Sequence, residues 1–165
     1  MDAEKINVLI VDDEEGFSNS IRRRLEVRGF RVTTANSGEQ AIALAKDQPL
    51  DIAVVDLKMP GIDGKETLEL LKKERQWMEV IILTGHGTID SAVECSRLGA
   101  FSYLQKPCEF DRLLETLTEA YKQRVMNKTK VKEKQMNEML AASQYDSPRA
   151  LLERLREIDK TMKNV

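Results

Sequence analysis

Polar side chains that could do chemistry stand directly after the apolar runs of this sequence. They are Asp12 and Asp13, Asp56, Thr84, and Lys106. If the apolar runs are parallel strands, their carboxyl ends meet at one edge of the sheet, where ligands bind in open α/β folds. We therefore expect these side chains to form one site. Taken singly, each could be an ordinary helix-capping, turn or surface residue, and only their joint placement indicates a site.

Three carboxylates in a small volume repel one another unless a cation joins them. Oxygen ligands with room for water suit Mg²⁺. A lysine and a hydroxyl nearby suit an anion with several oxygens, and a carboxylate can itself be a nucleophile. The pattern indicates Mg²⁺-assisted phosphoryl transfer onto Asp56, with Lys106 and Thr84 stabilising the transferred group.

The elements that must position these residues follow from hydrophobic periodicity. Short apolar runs predict strands over 6–11, 30–34, 51–56, 79–84 and 101–104. Helical spacing between them predicts four helices, including 39–46, 65–75 and 88–98, and a fifth from about 109 onward. Strict alternation predicts an α/β fold, a doubly wound five-stranded parallel sheet with five helices, plus a C-terminal helical extension.

Composition excludes several classes of protein. Of 165 residues, 41% are hydrophobic and 33% charged, and no run is long enough to span a membrane. The N-terminus has no signal-peptide pattern, so we expect a cytoplasmic location. Cys95 and Cys108 lack metal or redox spacing and are interpreted as free thiols. The net charge of −2 combines −7 over residues 1–120 with +5 over residues 121–165.

Residues 4–122 resemble the receiver domain of two-component response regulators, the CheY-like family. The resemblance is carried by the acidic pair Asp12–Asp13, Asp56 followed by Met-Pro-Gly-x-Asp-Gly at 59–64, Thr84, Tyr103 and the pair Lys106–Pro107. The stretch Gly-Ala-Phe-x-Tyr-Leu-x-Lys-Pro at 99–107 is similar to receivers that precede sigma-54-type activator modules.

The resemblance implies strand order 2-1-3-4-5 and a phosphoryl group received on Asp56 from a histidine kinase or phosphotransfer protein. It implies that Mg²⁺ is held by Asp12, Asp13, Asp56 and the backbone carbonyl of Lys58. A cis peptide before Pro107 is also implied. Such a protein is not an enzyme toward other molecules: it phosphorylates and dephosphorylates only itself.

The family further implies a switch. The phosphoryl group would draw Thr84 inward and Tyr103 would follow, changing the face formed by helix 4, strand 5 and helix 5. On this face we expect Ile89, Val93 and Arg112 beside Tyr103. A downstream protein would bind there or at the C-terminal helix, and a homodimer is possible. Neither a membrane nor nucleic acid is an expected partner.

Two further residues flank the expected site. Lys58 follows Asp56 by two positions, and His86 follows Thr84 by two. We hypothesise that both tune the lifetime of the aspartyl phosphate by controlling the approach of water.

Residues 123–165 are predicted to be a helical tail. An extended helix should be followed by a short amphipathic helix over 147–162, begun by Ser147 and Pro148. The apolar stripe of this last helix, which is Leu151, Leu152, Leu155, Ile158 and Met162, needs a partner: the receiver, a second copy, or another protein.

The sequence is also compatible with other functions. One is a DNA-binding transcriptional regulator that uses the basic tail, and another is the front part of a longer sigma-54-type activator. A Mg²⁺-dependent phosphatase would need a second acidic residue near the nucleophile, where Lys58 stands, and a cap domain. A dinucleotide-binding domain is excluded because Asp-Asp-Glu-Glu at 12–15 replaces the glycine-rich turn.

Overall fold

The computed structural model describes residues 4–142, 149–150, 152–153, 156–157 and 160. Five strands alternate with five helices along the chain. The strands are β1 (Asn7–Val11), β2 (Arg31–Ala35), β3 (Ile52–Val55), β4 (Glu79–Thr84) and β5 (Ser102–Gln105). The helices are α1 (Glu15–Val27), α2 (Gly38–Asp47), α3 (Gly64–Glu74), α4 (Ile89–Arg97) and α5 (Phe110–Ala142).

The strands form one parallel sheet in the order β2-β1-β3-β4-β5, which confirms the predicted α/β fold and strand order. Val11, the last residue of β1, pairs with Ala35 on one side and with Val55 on the other. The carboxyl ends of these three strands are therefore level. The residues that follow them lie at a common edge.

The sheet is buried on both faces by two apolar layers. In β1, Leu9 and Val11 pack into one layer while Val8 and Ile10 pack into the other. All four residues of β3 are buried. This two-sided burial explains why the central strands are continuous apolar runs, since alternate residues face different layers and neither face meets water.

Side-chain caps set where three helices begin. The side chains of Ser37, Asp63 and Thr88 each accept a hydrogen bond from a backbone N–H in the first turn of α2, α3 and α4. The loop before α3 turns at Gly61, whose φ of +81° favours glycine. The Asp63 cap and this turn fix the loop that follows β3.

The chain divides into two compact units after Arg124. Helix α5 begins at Phe110 and continues to Ala142, so the fifth helix runs on beyond residue 122. The described positions between 149 and 160 are helical, whereas most of the predicted amphipathic helix 147–162 lies outside the described residues. Among the described residues, none of the helices combines the length and the hydrophobicity that a membrane span requires.

Candidate functional site

The carboxylates of Asp12, Asp13 and Asp56 lie together at the carboxyl edge of the sheet. One oxygen of each lies within 4.8 Å of the other two. The backbone N–H of Asp56 donates to the carbonyl of Val11 at 2.9 Å, so the ends of β1 and β3 are tied together. This tie brings residues far apart in sequence into one acidic cluster.

Burial makes this cluster suited to a cation. Asp12 and Asp56 are each only 3% exposed, and Asp13 is exposed. The Oδ1 atom of Asp56 is buried and has no hydrogen-bond partner among the described residues. An unpartnered carboxylate oxygen is costly unless a positive group reaches it. The oxygen-only ligand set, open toward the exposed Asp13, fits Mg²⁺.

Lys106 reaches the same cluster from β5. Its Nζ lies 2.6 Å from Oδ2 of Asp12 and 4.0 Å from the centre of the Phe17 ring. Its backbone N–H donates to the carbonyl of Thr84 at 2.9 Å, and the peptide joining it to Pro107 is cis, as the resemblance implies. The sequence did not predict which carboxylate would pair with Lys106, nor the contact with Phe17.

Burial raises the pKa of Asp12 above its usual value. The hydrogen bond from Lys106, the hydrogen bond from the backbone of Glu14 and the charge of Lys106 all oppose this rise, and the charge of Asp56 adds to it. Because burial is the largest cause, ionising Asp12 costs more free energy in the folded protein than in the unfolded chain.

Replacing Asp12 with asparagine is expected to remove part of the pH dependence of stability. A raised pKa means that the folded protein binds more protons than the unfolded chain. Wild-type stability therefore falls as the pH rises from the unfolded-state pKa of Asp12 to its folded-state pKa. The unfolding free energy of Asp12→Asn, minus that of the wild type, should therefore increase from about pH 4 upward. Denaturant titrations in metal-free buffer at several pH values measure this difference in unfolding free energy. Asp47→Asn, at an exposed position, is the control. If the difference in unfolding free energy from the wild type does not change with pH for either variant, the prediction is contradicted.

Thr84, at the end of β4, is fully buried, and its hydroxyl accepts a hydrogen bond from the backbone N–H of His86 at 3.1 Å. The hydroxyls of Tyr103 and Ser91 lie 2.9 Å apart, and Ser91 forms a capping box with Thr88 at the start of α4. The orientation of the Tyr103 ring is thus linked to the first turn of α4. No spacing pattern in the sequence indicates this link.

An open cavity of about 400 Å³ leads to Asp56. Its lining is Asp13, Glu14, Asp56, Lys58, Met59, Pro60 and His86. Lys58 and His86 therefore both lie along the approach to the buried carboxylate, where the lifetime hypothesis requires them.

The face around α4 carries exposed apolar side chains. Ile89 is 84% exposed and Val93 is 46% exposed. Arg112 is also exposed and lies 3.9 Å from Glu115 on the same helix, while Tyr103 is half-buried. The roles of these four residues in partner binding remain predictions.

A five-stranded parallel sheet in this order, with an acidic cluster and a lysine at its carboxyl edge, defines a receiver-type α/β domain. Residues 8–118 match the family described as the response regulator receiver domain. The chain belongs to this family, which confirms the resemblance seen in the sequence.

Individual relatives agree with this assignment. An NtrX-like response regulator of Rickettsia conorii is 41% identical over 118 residues, which is 70% of this chain and 25% of that protein. The transcriptional regulatory protein ZraR of Klebsiella oxytoca is 37% identical over 120 residues, covering 73% of this chain and 27% of that protein. The chain thus spans about a quarter of the length of these two relatives.

Solved structures show the same fold. The crystal structure of a CheY-like response regulator receiver domain protein from Methanospirillum hungatei JF-1 superposes with a TM-score of 0.73 at 29% sequence identity. The match covers 75% of this chain and 99% of that one.

Proposed function

We propose that this protein is a signalling switch that receives a phosphoryl group on Asp56 in the presence of Mg²⁺. The observation that carries the proposal is the buried, unpartnered Oδ1 of Asp56 beside the pair formed by Asp12 and Lys106. A carboxylate in this position can act as a nucleophile, and the Lys106 ammonium lies at the cluster where the transferred charge would develop.

The donor would be a phosphohistidine on a kinase or phosphotransfer protein. An oxygen of Asp56 attacks phosphorus, the new O–P bond forms, and the N–P bond breaks with its electron pair returning to the imidazole. Asp12, Asp13, Asp56 and the carbonyl of Lys58 would hold Mg²⁺, which supplies positive charge against the phosphoryl oxygens when bound. The Lys106 ammonium adds a second positive charge from the β5 side.

Hydrolysis of the aspartyl phosphate by water restores Asp56. The protein therefore modifies only itself and is proposed not to turn over another substrate. Its output would be a changed protein contact at the face of α4, β5 and α5. The exposed side chains of Ile89 and Val93 support this, as does the hydrogen bond that links Tyr103 to Ser91 of α4.

The proposal is tested with Mg²⁺ and a small-molecule phosphodonor, followed by intact-mass spectrometry. The wild type should gain one phosphoryl group and Asp56→Asn none, because only this carboxylate combines burial with a free oxygen at the cluster. Asp47→Asn makes the same chemical change at an exposed position and should leave the reaction intact. Phosphorylation that persists in Asp56→Asn would assign the phosphoryl group to another residue and overturn the proposal.

Shortening the side chains at the cavity mouth is expected to change the lifetime of the phosphorylated state. Lys58→Ala and His86→Ala should each admit water more freely, so dephosphorylation should become roughly threefold faster. The loss of phosphoprotein is followed after the donor is removed. Ile89→Ala, outside the cavity, is the control. Unchanged dephosphorylation rates in both cavity variants would contradict the hypothesis.

A second candidate, regulation of transcription, is supported by the name of the ZraR relative. Binding of the phosphorylated protein to DNA at several salt concentrations tests it, since contacts to phosphates weaken steeply as salt rises. No binding even at low salt would count against a direct role at DNA.

A further inference from the structure

Lys106 lies between two different partners. On one side its Nζ is 2.6 Å from Oδ2 of Asp12, and on the other it is 4.0 Å from the centre of the Phe17 ring. We propose that Phe17 is a positioning residue for phosphoryl transfer, whose ring face holds the Lys106 ammonium at the acidic site. This inference rests on the proposed function of Asp56 and assigns to Phe17 a role beyond the core packing that its spacing predicts.

Phe17 is well placed to be a fixed platform. It lies in the first turn of α1, which begins at Glu15 directly after the acidic pair. Its ring is half-buried and packs against the apolar layer that contains Ile10 and Leu113. The ring is therefore held by the core, at a position set by the same segment that carries Asp12.

An aromatic ring can hold the Lys106 ammonium and leave its hydrogen-bond donors available, which a second carboxylate could not do. The negative face of the ring attracts a cation without accepting a directed hydrogen bond from it. An ammonium has three N–H donors, and the hydrogen bond to Asp12 uses one of them. Lys106 can then turn a donor toward a phosphoryl oxygen while it stays over Phe17. A carboxylate in place of the ring would instead compete with that oxygen.

The surroundings favour a strong contact. The Lys106 side chain is 17% exposed and that of Asp12 is 3% exposed, so water screens the ammonium only weakly. Cation–π contacts are stronger in such sites than at the surface. A second contact, between Arg24 and the ring of Phe110 at 4.0 Å, involves a cation that has no contact with the acidic cluster and offers a matched control.

The kinetic experiment compares Phe17→Leu, Phe17→Tyr and the control Phe110→Leu. Phosphorylation of Asp56 is followed with a small-molecule phosphodonor at saturating Mg²⁺. Phe17→Leu keeps an apolar side chain but removes the ring, and should slow phosphorylation about fivefold, while Phe17→Tyr and Phe110→Leu should stay near the wild-type rate. In a Lys106→Met background, Phe17→Leu should cause no further loss, because no ammonium is left to position.

A second readout needs neither Mg²⁺ nor phosphorylation. Protons held over the face of an aromatic ring resonate upfield, so the ε-methylene signal of Lys106 should be shifted upfield in the NMR spectrum of the wild type. This signal is assigned to Lys106 by its absence from the spectrum of Lys106→Met. The shift should persist in Phe17→Tyr and disappear in Phe17→Leu. Should Phe17→Leu fail to fold, Phe17→Met makes the same comparison.

Three results would overturn the inference: an ordinary position of the Lys106 signal in the wild type, an unchanged phosphorylation rate in Phe17→Leu, or a Phe17→Leu loss that persists without Lys106. The last would show that Phe17 acts through packing alone. Failure of the proposed function is distinguishable, because the wild type would then remain unphosphorylated while its Lys106 signal stays shifted upfield.

Discussion

Replacing Gly64 with alanine is expected to destabilise the protein by about 3 kcal/mol, because the added Cβ would enter a space filled by backbone. That atom would lie 2.6 Å from Cα of Leu57 and 2.9 Å from the carbonyl carbon of Asp56, and closer still to the carbonyl oxygen of Asp56. Backbone atoms cannot rotate away as a side chain can. The first turn of α3 would therefore have to move away from the end of β3.

Gly16→Ala is the matched control, since Gly16 also lies in the first turn of a helix. A Cβ built there meets no atom within 4 Å, so alanine should stabilise the protein by about 0.5 kcal/mol through its better helix propensity. Denaturant unfolding of both variants gives the comparison. Equal effects at the two positions would show that the close approach at Gly64 does not decide stability.

The Gly64→Ala variant should also be phosphorylated poorly. The displaced atoms belong to Asp56 and its neighbour, and the proposed nucleophile lies on the same residue. A variant that is destabilised yet phosphorylated at the wild-type rate would show that the loop can relax without moving the carboxylate.

The second large effect is expected at Lys106. Lys106→Met preserves the length of the side chain but removes the ammonium that lies 2.6 Å from Asp12. If this charge stabilises the transferred phosphoryl group, phosphorylation of Asp56 should slow by about 100-fold. The measurement is the initial rate with a small-molecule phosphodonor at saturating Mg²⁺, so that weakened ion binding does not contribute.

Lys58→Met supplies the matched control for the loss of a positive charge. Lys58 lines the cavity that leads to Asp56, but its side chain is exposed to solvent, where charges act weakly. Its phosphorylation rate should change by less than about threefold. A comparable loss in both variants would mean that overall charge near the cavity, and not the placement of Lys106, governs the reaction.

The sequence alone determined the strands and helices and the edge of the sheet at which the candidate site lies. Buried parallel strands must be apolar on both faces, so the first charged residue after each run, such as Asp12 or Asp56, marks the strand end. Each predicted strand boundary lies within one residue of the observed one. The fold and the acidic cluster could therefore be predicted.

Only the tertiary structure decided how the site residues pair. Lys106 and Asp12 are 94 positions apart, and nothing in the sequence selects Asp12 over Asp56 as the partner of Lys106. The contact of Lys106 with Phe17 and the hydrogen bond between Tyr103 and Ser91 likewise could not be predicted from the sequence. Periodicity reports which face of an element is apolar, whereas these contacts depend on the distances between elements, which only packing sets.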